Sequence, residues 1–101
     1  MADYLLKKGL DGKIVLYITP FPDWIYSDSY GGVISENGKH FGVLFNGIVY
    51  CNVHPNGLPF EAWKADFHNR TGNSVTVTLP LTWRNFTYIT YQSALEILRR
   101  M

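Results

Sequence analysis

Residues 39–51 of the chain read Lys39-His40-Phe41-Gly42-Val43-Leu44-Phe45-Asn46-Gly47-Ile48-Val49-Tyr50-Cys51. Two apolar runs flank an Asn-Gly pair, and both residues of such a pair accept the positive φ of a two-residue type I′ turn. We therefore expect a β-hairpin whose register is set by this turn. The expected partners are Phe45 with Ile48, Leu44 with Val49, Val43 with Tyr50, Gly42 with Cys51, Phe41 with Asn52 and His40 with Val53.

Alternation along these strands assigns each side chain to one face of the sheet. His40, Gly42, Leu44, Val49, Cys51 and Val53 share one face, and Phe41, Val43, Phe45, Ile48, Tyr50 and Asn52 share the other. Both faces are largely apolar, so the hairpin is expected at the centre of a sheet.

The remaining segments predict an α+β fold, an antiparallel sheet with three helices. Helices are predicted at residues 3–8, 59–68 and 92–100, because the first ends at a glycine and the other two have apolar residues at helical spacing. Further strands are predicted at residues 13–19, 33–35, 74–79 and 83–91. Residues 20–32 are rich in Tyr, Ser, Asp and Gly and predict a loop, and turns are expected at residues 36–38 and 54–58.

Composition limits the function classes that need to be considered. The 101 residues suffice for one domain, and 47% hydrophobic against 17% charged residues predicts a folded chain. The net charge of +1 comes from scattered bases, which argues against nucleic-acid binding, and no apolar run suits a membrane span. The single cysteine, Cys51, excludes an intrachain disulfide and favours a reducing, cytoplasmic location for the isolated chain.

Few residues have the spacing that chemistry requires. The three histidines, His40, His54 and His68, lack metal-ligand spacing, and there is no glycine-rich phosphate loop, so we expect neither a metal nor a cofactor. His40 and Cys51 remain, as diagonal neighbours on one face of the predicted hairpin. The plain structural alternative is a buried histidine beside a small core cysteine.

Three segments together resemble the papain-fold toxin domains, the second such toxin family, of bacterial polymorphic toxins. They are Ser35-Glu36-Asn37-Gly38-Lys39-His40-Phe41-Gly42-Val43, Ile48-Val49-Tyr50-Cys51-Asn52-Val53-His54-Pro55-Asn56-Gly57-Leu58, and Trp63 in the middle helix. Similar domains have a serine-x-asparagine-glycine-x-histidine-aromatic-glycine strand and an aromatic-aspartate-asparagine-aliphatic-histidine strand. The resemblance covers residues 4–67, whereas residues 71–101 are unmatched.

The resemblance implies a papain-like core and cysteine-hydrolase chemistry. In such a site a thiol at the start of a helix attacks an amide, isopeptide or acyl carbonyl, and an oriented histidine takes its proton. His40 falls on the histidine, Cys51 on the position of the orienting aspartate, and Asn52 on the asparagine that follows. Because no cysteine precedes residue 51, we expect the chain as given to be inactive, either truncated upstream or degenerate.

Three classes of function stay open at this point. They are a papain-like toxin domain or a fragment of one, a non-catalytic binding module or pseudoenzyme that keeps the cleft, and an unrelated α+β protein. The resemblance implies a protein substrate or an immunity protein as the partner, and delivery out of the cell where the chain is part of a larger toxin. A shortened first helix would leave the face of His40, Leu44 and Val49 partly uncovered, which favours a homodimer unless the C-terminal helix covers it.

Overall fold

A computed structural model describes residues 12–20, 23–81 and 89–99. The strands are β1 (Lys13–Ile18), β2 (Ile25–Ser27), β3 (Gly32–Ser35), β4 (Lys39–Phe45), β5 (Ile48–Tyr50), β6 (Leu58–Pro59), β7 (Phe67–His68) and β8 (Val75–Pro80). The helices are α1 (Phe60–Ala65) and α2 (Tyr91–Arg99). The predicted helix at residues 3–8 lies outside the described residues, as does most of the strand predicted at residues 83–91.

The larger sheet has five antiparallel strands in the order β6-β5-β4-β1-β8. β1 lies between β4 and β8, and its residues from Ile14 to Ile18 are all buried. This burial on both faces explains why the strand is an uninterrupted apolar, β-branched and aromatic run. The prediction of a strand at residues 13–19 is confirmed.

The hairpin of β4 and β5 has the predicted turn and register. Asn46 and Gly47 have φ values of 54° and 78°, as a type I′ turn requires. Val43 pairs with Tyr50, Leu44 with Val49 and Phe45 with Ile48. β4 is the central strand of the five. This position was predicted from the apolar residues on both faces of the hairpin.

A second, three-stranded antiparallel sheet in the order β3-β2-β7 was not predicted. Its strand β2 lies inside residues 20–32, so the prediction of a loop there is wrong. Its strand β7 takes residues 67–68 from the predicted middle helix, which is correspondingly shorter. Both strands are too short for a periodic pattern. A buried carboxylate, Asp23, which is 1% exposed, lies just before β2.

Asp23 holds the loop of residues 69–71 by accepting hydrogen bonds from two side chains and two backbone amides. The donors are Asn69 Nδ2, Arg70 N, Thr71 N and Thr71 Oγ1, at 2.7–3.0 Å. Burial raises the pKa of the Asp23 carboxyl, but the bonds from Thr71, Asn69 and Arg70 outweigh burial and keep the pKa well below its usual range.

Each face of the larger sheet has its own core. α2 packs on the face of Ile14, Leu16 and Ile18, whereas Trp63 of α1 packs on the face of Val15 and Val49. His40 is 7% exposed and Val49 is fully buried, so the expectation that their face is uncovered is wrong for both residues. The C-terminal helix covers the opposite face. Neither helix of the described residues combines the length and the apolar character needed to cross a membrane.

Candidate active site

A cleft of about 590 Å³ opens beside the central strand, where the chain after β5 turns away from β4. The ladder between the two strands ends at the pair of Val43 and Tyr50. Residues of β4 form one side, and the other side is formed by Tyr50, Cys51, Asn52 and Pro55. The separation of the two strands therefore creates the cleft.

A tight turn over residues 51–54 causes this separation. Cys51 N donates to the His54 carbonyl at 3.3 Å, and His54 N donates to the Cys51 carbonyl at 3.1 Å. Because the turn uses both backbone groups of Cys51, the expected ladder pairs beyond Tyr50 do not form. Those three expected pairs, Gly42 with Cys51, Phe41 with Asn52 and His40 with Val53, are therefore wrong.

His40 comes from β4 and packs among aromatic rings. Its imidazole stacks on Trp63 at 5.9 Å between ring centroids and 22° between planes, and it contacts the Phe67 ring at 5.0 Å. The buried Nε2 atom has no hydrogen-bond partner among the described residues. Burial and, to a smaller extent, nearby His54 together lower the pKa of His40 to about 4, against a smaller opposing effect of Asp66. The imidazole is therefore neutral at pH 7.

Cys51 is half-buried and shares the Trp63 ring with His40. Trp63 Nε1 donates to Cys51 Sγ at 3.4 Å, so the indole lies against both residues from the same side of the sheet. The prediction that His40 and Cys51 share a face is confirmed. Cys51 lies between β5 and a turn, and therefore lacks the helix N-terminus that favours a thiolate.

Asn52 is exposed at the centre of the 51–54 turn and lines the outer part of the cleft. The described residues provide no partner for His40 Nε2, so Asn52 does not orient the imidazole through that nitrogen. The structure thus brings His40, Cys51 and Asn52 to one cleft. Their catalytic roles stay predictions.

A buried carboxylate, Asp66, lies just after α1 and was missed by the sequence analysis. Its Oδ2 accepts from Ser27 Oγ at 2.6 Å and lies 2.9 Å from His54 Nε2, and its Oδ1 accepts from Ser29 N and Ser29 Oγ, both at 2.8 Å. Burial raises the pKa of Asp66, but the bonds from Ser27, His54 and Ser29 outweigh burial and bring the pKa down to about 2. Since the carboxylate is ionised, His54 donates its Nε2–H.

The pair of His54 and Asp66 lies beside the cleft but does not line it. Phe67 separates the two histidines, with its ring 5.0 Å from His40 and 6.2 Å from His54. His54 belongs to the strand motif of the resemblance, so the sequence could have identified it as a candidate site residue. Asp66 had no such signal, because its partners Ser27 and His54 lie 39 and 12 residues away in sequence.

Among the residues that the structure describes, no three His, Cys, Asp or Glu side chains are grouped in a way that would hold a metal ion. The polar side chains that line the cleft are those of Lys39, His40, Tyr50, Cys51 and Asn52. They offer hydrogen-bonding groups and one thiol.

Comparison with known proteins supports the resemblance. The family model described as Papain fold toxin 2 matches residues 1–68, which is more than half of the chain and contains the whole cleft. Searches of curated proteins and of solved structures gave no match. The histidine-bearing strand, the strand that follows it and the tryptophan helix all lie within the matched residues, and the chain belongs to the papain fold toxin 2 family.

Proposed function

We propose that this papain-fold toxin domain binds an extended segment of a partner protein in the cleft at His40 and, as given, does not hydrolyse that segment with its own thiol. The observation that carries the proposal is the open cleft lined by His40, a histidine whose buried Nε2 has no partner among the described residues. A buried polar atom without a partner costs about 1–3 kcal/mol. Such a cost is typical of functional sites, where selection favours binding over stability.

The cleft walls favour a polypeptide with apolar side chains. Phe41, Val43, Tyr50 and Pro55 contribute apolar surface, and Asn52 adds amide donors and acceptors near the rim. Apolar walls with a few placed polar groups are typical of ligand sites. A segment of a protein substrate or of an immunity protein has this chemistry.

Three features argue against hydrolysis by Cys51. His40 is neutral with a pKa of about 4, which makes it a weak general base at pH 7. Asp66, the buried carboxylate that could orient a histidine, is hydrogen-bonded to His54 and two serines rather than to His40. No helix begins at Cys51 to stabilise its thiolate. A cysteine hydrolase needs these three functions to converge on one thiol.

Peptide titration tests both halves of the proposal. The ¹⁵N-labelled chain is titrated with a library of acetylated hexapeptide amides at about 1 mM, a concentration at which weak binding is detected by NMR. Mass spectrometry of the peptides afterwards shows whether any has been cleaved. We expect amide shifts at Gly42, Tyr50 and Cys51 but not at Val77 in β8, which lies two strands away from β4, and we expect the peptides to stay intact. The Cys51→Ser variant, which lacks the thiol, is the control for cleavage.

Two results would count against the proposal. If no peptide shifts the cleft amides, the cleft is not a peptide site. Cleavage by the native chain that disappears in Cys51→Ser would instead make Cys51 a working nucleophile and overturn the non-hydrolytic part.

A further inference from the structure

We infer that the pair of His54 and Asp66 positions the turn of residues 51–54, and with it Cys51 and Asn52, relative to the helix that carries Trp63. Neither residue of the pair lines the cleft itself, so the pair acts through the turn. The value of this positioning for partner binding rests on the proposed function, whereas the geometry of the turn does not.

His54 is the fixed point of the turn. Its carbonyl accepts from Cys51 N and from Gly57 N, and its own N–H donates to the Cys51 carbonyl. The two bonds that close the turn measure 3.3 and 3.1 Å, the first just beyond and the second within the upper part of the usual range for N–H···O bonds. The side chain of His54, which is 9% exposed and bonded to Asp66 at 2.9 Å, adds the stronger tie.

Asp66 connects that tie to α1. It follows the last helical residue and lies three positions after Trp63, so both residues belong to one side of the helix end. Trp63 donates to Cys51 Sγ, and Asp66 accepts from His54 Nε2. The same helix therefore contacts the turn at both of its ends, residues 51 and 54, and fixes the distance between turn and helix.

Asp66 also accepts from Ser27 and Ser29, which belong to β2 and the loop after it. These bonds hold the carboxylate in place independently of His54. Loss of the His54 side chain therefore leaves Asp66 anchored and releases only the turn. This asymmetry makes the positioning role separable from a general contribution to folding.

The test compares three variants by the rate at which iodoacetamide labels Cys51 in the native protein. His54→Ala removes the tie, His54→Gln restores an amide donor toward Asp66, and Ser29→Ala removes a bond to the same carboxylate from another segment. We expect labelling about tenfold faster in His54→Ala, because local opening of the turn exposes the thiol. His54→Gln and Ser29→Ala should stay within about twofold of the native rate.

A native rate in folded His54→Ala would overturn the inference, and so would equal acceleration in Ser29→Ala, which would indicate general loosening. If His54→Ala does not fold, hydrogen exchange of the residue-54 amide in His54→Gln decides. Native protection there supports the tie, and exchange as fast as in an exposed loop refutes it. No peptide is present in these measurements, so a failure of the proposed binding function would leave their outcome unaffected.

Discussion

Replacing His40 by phenylalanine should stabilise the domain while removing one of the polar side chains that line the cleft. The substitution keeps an aromatic ring against Trp63 and Phe67, whose centroids lie 5.9 and 5.0 Å from that of the imidazole. It removes the buried Nε2 that has no partner among the described residues. Stability and binding should therefore change in opposite directions.

The magnitude at pH 7.5 follows from two opposing effects. Removing an unpaired buried nitrogen gains about 1–3 kcal/mol. The larger phenyl ring, at a site only 7% exposed, costs about 1 kcal/mol in overpacking. We expect His40→Phe to gain about 1 kcal/mol in the free energy of unfolding, equal to about 4–8 °C in Tm for a domain of this size.

Acid should enlarge this difference. The pKa of His40 is about 4 in the folded chain, against an ordinary value of 6.5. Between those values the unfolded chain binds the additional proton, so the native protein loses stability as the pH falls through that window. At pH 5 the loss is about 2 kcal/mol, which phenylalanine does not suffer. His54 and Asp66, the charged or titratable groups near His40, are present in both proteins and cancel in the comparison.

Urea unfolding followed by tryptophan fluorescence at pH 7.5 and pH 5.0 measures the effect. His40→Phe should be more stable than the native protein by about 1 kcal/mol at the higher pH and about 3 kcal/mol at the lower. The control His40→Gln removes the titration but keeps a polar group, so it should lose the pH dependence without the gain at pH 7.5. A destabilised His40→Phe whose deficit is equal at both pH values would refute the reasoning.

Three further predictions concern other parts of the domain. Cys51 should react with iodoacetamide at pH 7 no faster than glutathione, because the neighbouring imidazole is neutral; faster labelling that His40→Ala abolishes would contradict this. Asp23→Asn should lower the free energy of unfolding, measured with urea at pH 7, by about 3 kcal/mol. Both carboxylate oxygens of Asp23 accept hydrogen bonds, whereas an amide has only one oxygen that can accept. Because the pKa of Asp23 is lowered by folding, this deficit should shrink below about pH 4, and a constant deficit would count against the assignment. Gly47→Ala should lower the free energy of unfolding by about 1 kcal/mol, because φ is +78° at this position and no atom within 4 Å would contact the added methyl group. Asn46→Gly is the control and should cause no loss of stability. An unchanged Tm in Gly47→Ala would argue against the type I′ turn.

The parts of the fold that sequence predicted are those with local causes. The Asn46-Gly47 turn sets the register of the two strands that flank it, so the shared face of His40 and Cys51 followed from the φ preferences of these two residues and from alternation. β1 and the C-terminal helix were equally predictable, because burial leaves a strong pattern in segments of six or more residues.

The parts that sequence missed depend on contacts between distant segments. β2 and β7 are three and two residues long, and the segments beside them are connected by hydrogen bonds to Asp66 and Asp23. The middle helix ends at Ala65 rather than at residue 68 because the following residues enter that second sheet. The turn of residues 51–54 interrupts the ladder through a backbone pairing that alternation alone does not encode.

An NMR titration of the His40 imidazole tests the central claim most directly, because the account rests on a neutral imidazole held inside the domain at the cleft. The ¹³Cε1 shift of His40 is followed from pH 8 downward, with assignment from the His40→Phe spectrum. The account predicts a titration midpoint of about 4. A midpoint at or above the ordinary 6.5 would contradict it, since the imidazole would then be hydrated or paired with an acid.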